Sequence, residues 1–168
     1  GEAGKTSLQR GLRAGTADPA AFDERTIQLD IYSMAISDAS GNQILLSMWD
    51  LAGQPQYAAG LQPYIVSGSL YLLLVPAMPV ADLDKAYGDL VGRWMDYLTA
   101  GAPEAVVQPV LTHCDRNLRR DVEWTTVAMH EACAKQIEWM SAAIAAHQAA
   151  FAQRGEKTLN IQPTVLCV

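Results

Sequence analysis

The run Leu70-Tyr71-Leu72-Leu73-Leu74-Val75, closed by Pro76, constrains this chain more than any other stretch. An apolar run without polar alternation suits a strand covered on both faces, as in parallel sheets, and this one is far too short to span a bilayer. Val110-Leu111 and Val165 to Val168 are shorter runs of the same kind. Pro109 and Pro163 precede them, at positions where the first residue of a strand tolerates a missing N–H. Between the runs the period changes. Leu83, Tyr87, Leu90, Val91, Trp94 and Leu98 recur at helical steps, with Asp82 as the expected cap. A second helix is predicted from about Trp124 to Phe151, with Val127, Ala134, Ile137, Met140, Ile144 and Phe151 on one stripe and an Ala-rich tail of high propensity. Strands alternating with helices predict an α/β layer fold with a mostly parallel sheet.

The N-terminal third reads differently. Leu8 and Leu12 mark a helix from Lys5 to Ala14 that stops at Gly15, and residues 16–25 read as a polar loop. Ile27, Leu29 and Ile31 alternate before the phase slips to Tyr32, Met34 and Ile36, which predicts a bulge or a change of buried face. Ser40-Gly41-Asn42 is a turn, and Ile44 to Trp49 completes an antiparallel hairpin. With no repeat or linker, the 168 residues are expected to form one domain, 1–168, cut at both ends from something longer. The chain opens on Gly1 with neither an initiator Met nor a signal peptide.

Composition narrows the function. Half the residues are hydrophobic and 18% are charged, which excludes a disordered tail. A net charge of -6 argues against nucleic-acid and anionic-membrane binding. Cys114, Cys133 and Cys167 are odd in number and lack CxxC spacing. They predict neither a disulfide framework nor a structural zinc site, and fit a reducing compartment. His130 and Cys133, one helical turn apart, read as ordinary helix-face residues.

Four motifs carry chemistry. Gly1-Glu2-Ala3-Gly4-Lys5-Thr6-Ser7 opens the first helix and holds the G-K-T that ends a phosphate-binding loop. In such a segment backbone N–H groups converge on phosphate oxygens, Lys5 brings positive charge, and the Thr6 hydroxyl can ligate Mg²⁺. Met48-Trp49-Asp50-Leu51-Ala52-Gly53-Gln54 places Asp50 at a strand end to hold Mg²⁺ through water. There Gly53 offers its N–H to a γ-phosphate and Gln54 orients a hydrolytic water. Thr112-His113-Cys114-Asp115 ends the Val110-Leu111 strand. Asp115 can accept from the N1–H and N2–H₂ edge of guanine, a donor pair that adenine lacks, and His113 can lie over the purine. Thr26, at the loop exit, could reach both metal and γ-phosphate. Each string alone is common; the order is not. Asp50 follows Lys5 by 50 − 5 = 45 residues and Asp115 follows Asp50 by 115 − 50 = 65, each acidic residue closing a predicted strand, the edge where open α/β sheets bind ligands.

Those residues resemble Ras-like GTPase domains, and among them most closely the Roc domain of Roco proteins. The likeness lies in Trp49-Asp50-Leu51-Ala52-Gly53-Gln54-Pro55, in Thr112-His113-x-Asp115 and in the Arg25-Thr26 step, and covers nearly the whole chain. The departures are an absent leading Gly and first strand, Thr112-His113 where small GTPases carry Asn-Lys, and Gln28 where a Gly is common. The resemblance implies a three-layer P-loop NTPase fold whose mostly parallel sheet has one antiparallel hairpin strand. It implies GTP or GDP with Mg²⁺, slow GTP hydrolysis in a cytoplasmic switch, leucine-rich repeats before the domain, a COR domain after it, and a homodimer. A nucleotide-dependent scaffold with negligible hydrolysis is the alternative, and a P-loop ATPase the third.

Overall fold

The computed structural model describes residues 3–14, 29–51, 60, 62–118, 121–123 and 125–168. The chain is a mixed α/β structure containing an antiparallel hairpin and a parallel sheet. Its residues fall into two compact units, Gly1–Leu61 and Gln62–Val168.

In the first unit, helix α1 spans Lys5–Ala14, with the ending expected from Gly15. Gly4 enters it with φ +69°, a left-handed conformation that favours glycine. Its carbonyl then accepts the first helical bond from the Leu8 N–H at 2.8 Å. Strands β1 (Leu29–Ser37) and β2 (Gln43–Leu51) pair antiparallel from Leu29↔Leu51 to Ser37↔Gln43 without interruption. The slip of phase after Ile31 is therefore a change of covered face and not a bulge. Tyr32, Met34 and Ile36 lie on the better covered side, while Ile31 stands 57% exposed. The turn is built by Asp38, whose carboxylate accepts from the Ser40 and Asn42 N–H groups and the Asn42 amide. Those bonds hold its pKa below the ordinary value.

The second unit carries a four-stranded sheet of β3 (Leu70–Pro76), β4 (Val106–Thr112), β5 (Asn160–Ile161) and β6 (Leu166–Cys167), all parallel to β4. Contrary to the two-sided burial expected for β3, Leu70 is 63% exposed and Leu72 is also exposed. The two alternate with the better covered Tyr71, Leu73 and Val75, so one face at the start of β3 is open, and among the described residues β3 pairs only with β4. Pro109 lies inside β4, not at its start. Carbonyls of Ala105, Val107 and Leu111 accept from the N–H groups of Asn160, Gln162 and Val168. Pro109 is the omitted member of that two-residue series, standing in the gap between β5 and β6 where no N–H is required. Its carbonyl accepts from the Gln108 amide, which also bonds Thr164 across the gap.

A helical stretch connects β3 to β4: α2 (Val80–Tyr87), a π turn over Gly88–Gly92, and α3 (Arg93–Gly101). Asp82 lies in the first turn and Pro79 holds the cap position expected of it. Helix α4 (Thr126–Gln153) is capped by the Thr125 hydroxyl, which accepts from the Ala128 N–H at 3.1 Å. Its buried stripe is Cys133, Gln136, Met140, Ile144 and Phe151; Val127 and Ala134 face outward instead. The core joins Val75, Val91, Met95, Val107, Leu111, Met140 and Ile144, each worth roughly 1.5–3 kcal/mol buried. All three cysteines are free and belong to this core. Burial and the neighbouring thiols push the Cys114 thiol well above its ordinary pKa. Among the described residues no helix is long and apolar enough to cross a membrane.

Candidate functional site

The entry of α1 and the end of β2 meet in the first unit, where helix and strand pack together. The first turn of a helix presents its N–H groups at the N-terminal end, where the dipole favours an anion. Lys5, Thr6 and Ser7 form that turn, after Ala3 and Gly4. The Thr6 hydroxyl donates to Asp50 Oδ2 at 2.6 Å, across 44 positions of sequence. Asp50 is only 6% exposed. Two oxygen donors at this separation, one a carboxylate, are the chemistry that a hard cation such as Mg²⁺ takes.

Lys5 lies beside them. Burial lowers its pKa from 10.5, and the Asp50 carboxylate opposes that shift. An ammonium held partly out of water is primed for a second anion, because a phosphate would restore the charge–charge energy that hydration no longer supplies. Asp30 stands directly opposite Asp50 on the hairpin. Like charges on one rung repel, and Lys5 supplies the opposite charge that acts on Asp50.

The base motif lies in the second unit, on the turn that follows β4. Thr112 ends the strand, His113 adopts φ 57° and ψ 33°, and Cys114–Asn117 form a short 3₁₀ helix. A left-handed conformation in a non-glycine residue costs about 1–3 kcal/mol and must be held by its surroundings. The Cys114 N–H donates to Val168 O at 3.2 Å, and the Arg116 N–H closes on His113 O at 3.0 Å. The Asn117 amide donates to Cys133 Sγ of α4. With that frame in place, Thr112 is buried while Asp115 is exposed to solvent.

Motif reading passes over Cys114, the unassigned third position of the string, although its thiol is the buried anchor of the turn. An apolar thiol between polar motif residues is the signal that marks it. Gln9, one turn past Lys5, was also unmarked; its amide is buried, with no hydrogen-bond partner among the described residues. Other sequence candidates lie outside the described residues: Gly1 and Glu2, Thr26 with Arg25, and Gly53 with Gln54. Thus the structure brings Lys5, Thr6 and Asp50 together and frames Thr112, His113 and Asp115 separately. Among the described residues no group of three or more His, Cys, Asp or Glu is arranged to hold a metal.

Comparison with known proteins points the same way. The family model described as Roc, the Ras of Complex domain of DAPkinase, matches residues 1–115. Ras-related protein Rab-42 of mouse (Mus musculus) is 30% identical over 120 residues, covering 69% of this chain and 53% of that protein. The chain thus spans about half the length of that curated relative.

Proposed function

We infer the function from one premise: the chain belongs to the Roc family of Ras-like GTPase domains. We propose that residues 1–168 act as one such domain, binding GTP and GDP with Mg²⁺ and hydrolysing GTP slowly as a nucleotide-dependent switch. The observation that carries this is the 2.6 Å bond between Thr6 and Asp50, with Lys5 beside it, at the start of a helix. Separate sequence motifs with the two halves of a metal–phosphate site would meet in that way.

In this reading the backbone N–H groups of Gly1 to Ser7 cradle the phosphates, and Lys5 sets its charge against the β and γ oxygens. Thr6, Asp50 and Thr26 hold Mg²⁺, which when bound neutralises charge on the phosphate oxygens. Gly53 offers its N–H to the γ-phosphate. Gln54 orients the water that attacks in line. Asp115 accepts from the guanine edge, while Thr112 and His113 shape the pocket against the ring. An arginine finger is worth about 10³–10⁵ in rate, so turnover without one is slow. The scaffold alternative keeps the ligand and drops the hydrolysis. A cytoplasmic Roco protein with leucine-rich repeats, a COR domain and a homodimeric assembly is the setting that the family suggests.

Titration of a fluorescent GDP, competed by GTP and ATP with and without Mg²⁺, tests the reading. GTP must compete and ATP must not. Multiple-turnover phosphate release then separates the two versions: Gln54→Leu abolishes it in a GTPase. Unchanged release in that variant removes Gln54 from the mechanism.

A further inference from the structure

A groove of about 550 Å³ runs between α2 and α4 in the second unit, outside every motif discussed above. Its floor is alanine, at positions 142, 143 and 146, and its walls are aromatic. The Tyr87 and Trp139 rings stand at 83° to one another with centroids 6.3 Å apart. Both rings are pinned. Trp139 Nε1 donates to Asp84 Oδ1 at 2.8 Å, and Tyr87 Oη meets His147 Nδ1 at 2.6 Å. His147 Nε2 in turn bonds Asp96 at 3.1 Å. The edge of Tyr87 also lies against Gly92, where a Cβ would fall 2.9 Å from Tyr87 Cε1. Only glycine leaves the ring this seat.

The lining holds one fixed charge, the Asp84 carboxylate, beside the titratable His147. Asp96 backs the groove through His147, while no lysine or arginine is among the lining residues. Lys135 lies one turn before Trp139 on α4 and is not part of the lining. Perpendicular aromatic faces beside a carboxylate recognise a cation through the ring quadrupole and through charge-assisted hydrogen bonds. A planar guanidinium uses both at once, stacking on a ring while its N–H fork meets the carboxylate; an ammonium makes only a point contact. At the end of α4 the chain makes such a cation–ring contact itself, with the guanidinium of Arg154, the residue after the helix, 4.3 Å from the centre of the Phe151 ring. No such cation covers Trp139 among the described residues.

We propose that this groove is a docking site for an arginine side chain of a partner protein, held against the groove-facing surfaces of Trp139 and Tyr87 by Asp84. The test uses the whole chain with ¹⁵N-labelled tryptophan and follows the Trp139 indole N–H, assigned from its loss in Trp139→Phe. N-acetyl-arginine amide is titrated at constant ionic strength against its neutral isostere, N-acetyl-citrulline amide, and against N-acetyl-lysine amide. Arginine is expected to shift the Trp139 signal saturably, and citrulline and lysine to bind at least about tenfold more weakly. Asp84→Asn, which keeps an acceptor for the indole and removes the charge, is expected to weaken arginine about tenfold without moving the other indole signals. Equal binding of citrulline or lysine overturns the proposal, as does wild-type affinity in Asp84→Asn or a Trp139 signal that arginine does not shift. None of these readings needs nucleotide, so the outcome is independent of the phosphate site.

Discussion

Thr6→Val tests the junction between helix α1 and strand β2 directly. Valine keeps the β-branch and volume of threonine and removes only the hydroxyl. The lost bond is short, 2.6 Å, and its acceptor is a carboxylate with little access to water. A hydrogen bond to a charged group contributes about 1.5–3 kcal/mol, and burial prevents water from replacing it. Lys5 still attracts Asp50 after the change, which favours the lower end, about 1.5–2 kcal/mol. Urea unfolding without nucleotide should show that loss as a lower midpoint at constant slope. The same hydroxyl is proposed as a metal ligand. Mg²⁺ should therefore strengthen GDP binding less in the variant than in the parent, by between about tenfold and a hundredfold. Fluorescent-GDP titrations with Mg²⁺ and with EDTA measure this difference. A variant within about 0.5 kcal/mol of the parent in stability and equal to it in Mg²⁺ dependence would refute the reasoning.

Three further outcomes follow from the geometry. Asp115→Asn should move base preference from guanosine towards xanthosine nucleotides, read by competition; an unchanged preference removes Asp115 from base recognition. Because burial depresses the Lys5 pKa, the unfolded chain binds more protons between that lowered value and 10.5. The destabilising contribution of Lys5 is complete below the lowered value and fades as pH rises towards 10.5. A phosphate beside Lys5 opposes the burial effect, so GDP affinity should fall through the same window. Titrations from about pH 7 to about pH 10 check it, and a flat profile counts against Lys5 as the phosphate-facing charge. Gly101→Ala and Gly88→Ala form a pair. An added Cβ at Gly101 would sit 2.9 Å from Ile65 Cγ2, which should cost about 1–3 kcal/mol, partly offset by helix propensity. At Gly88 nothing lies within 4 Å, so alanine should gain about 0.5–1 kcal/mol. Opposite signs in thermal or urea unfolding are expected.

Periodicity made most of the elements legible. The Lys5–Ala14 helix, the hairpin about Gly41 and the apolar strands at Leu70 and Val110 are each marked by local pattern, because a covered face imposes its spacing on whichever residues fill it. Boundaries failed where the deciding partner was remote. Pro109 looked like a strand start, and only the gap between β5 and β6 explains how it sits inside β4. The two-residue β5 carries no period at all. Val127 and Ala134 fit the helical stripe by spacing, yet the sheet lies under Cys133, Gln136 and Met140 instead. The candidate site divides in the same way. Gly4-Lys5-Thr6, Asp50 and Asp115 stand out because phosphate, metal and base chemistry each demand particular atoms at a strand or helix end.

Residue identity and order were enough to specify the element types, the family and the atoms offered for chemistry, since these depend on local spacing and on what each side chain can donate or accept. Proximity could not be read that way. The Thr6–Asp50 bond, the depressed Lys5 ammonium, the left-handed His113 and the Trp139–Tyr87 walls arise between residues up to 54 positions apart. They depend on which faces pack and how much water is excluded, and those quantities exist only once the chain has closed on itself.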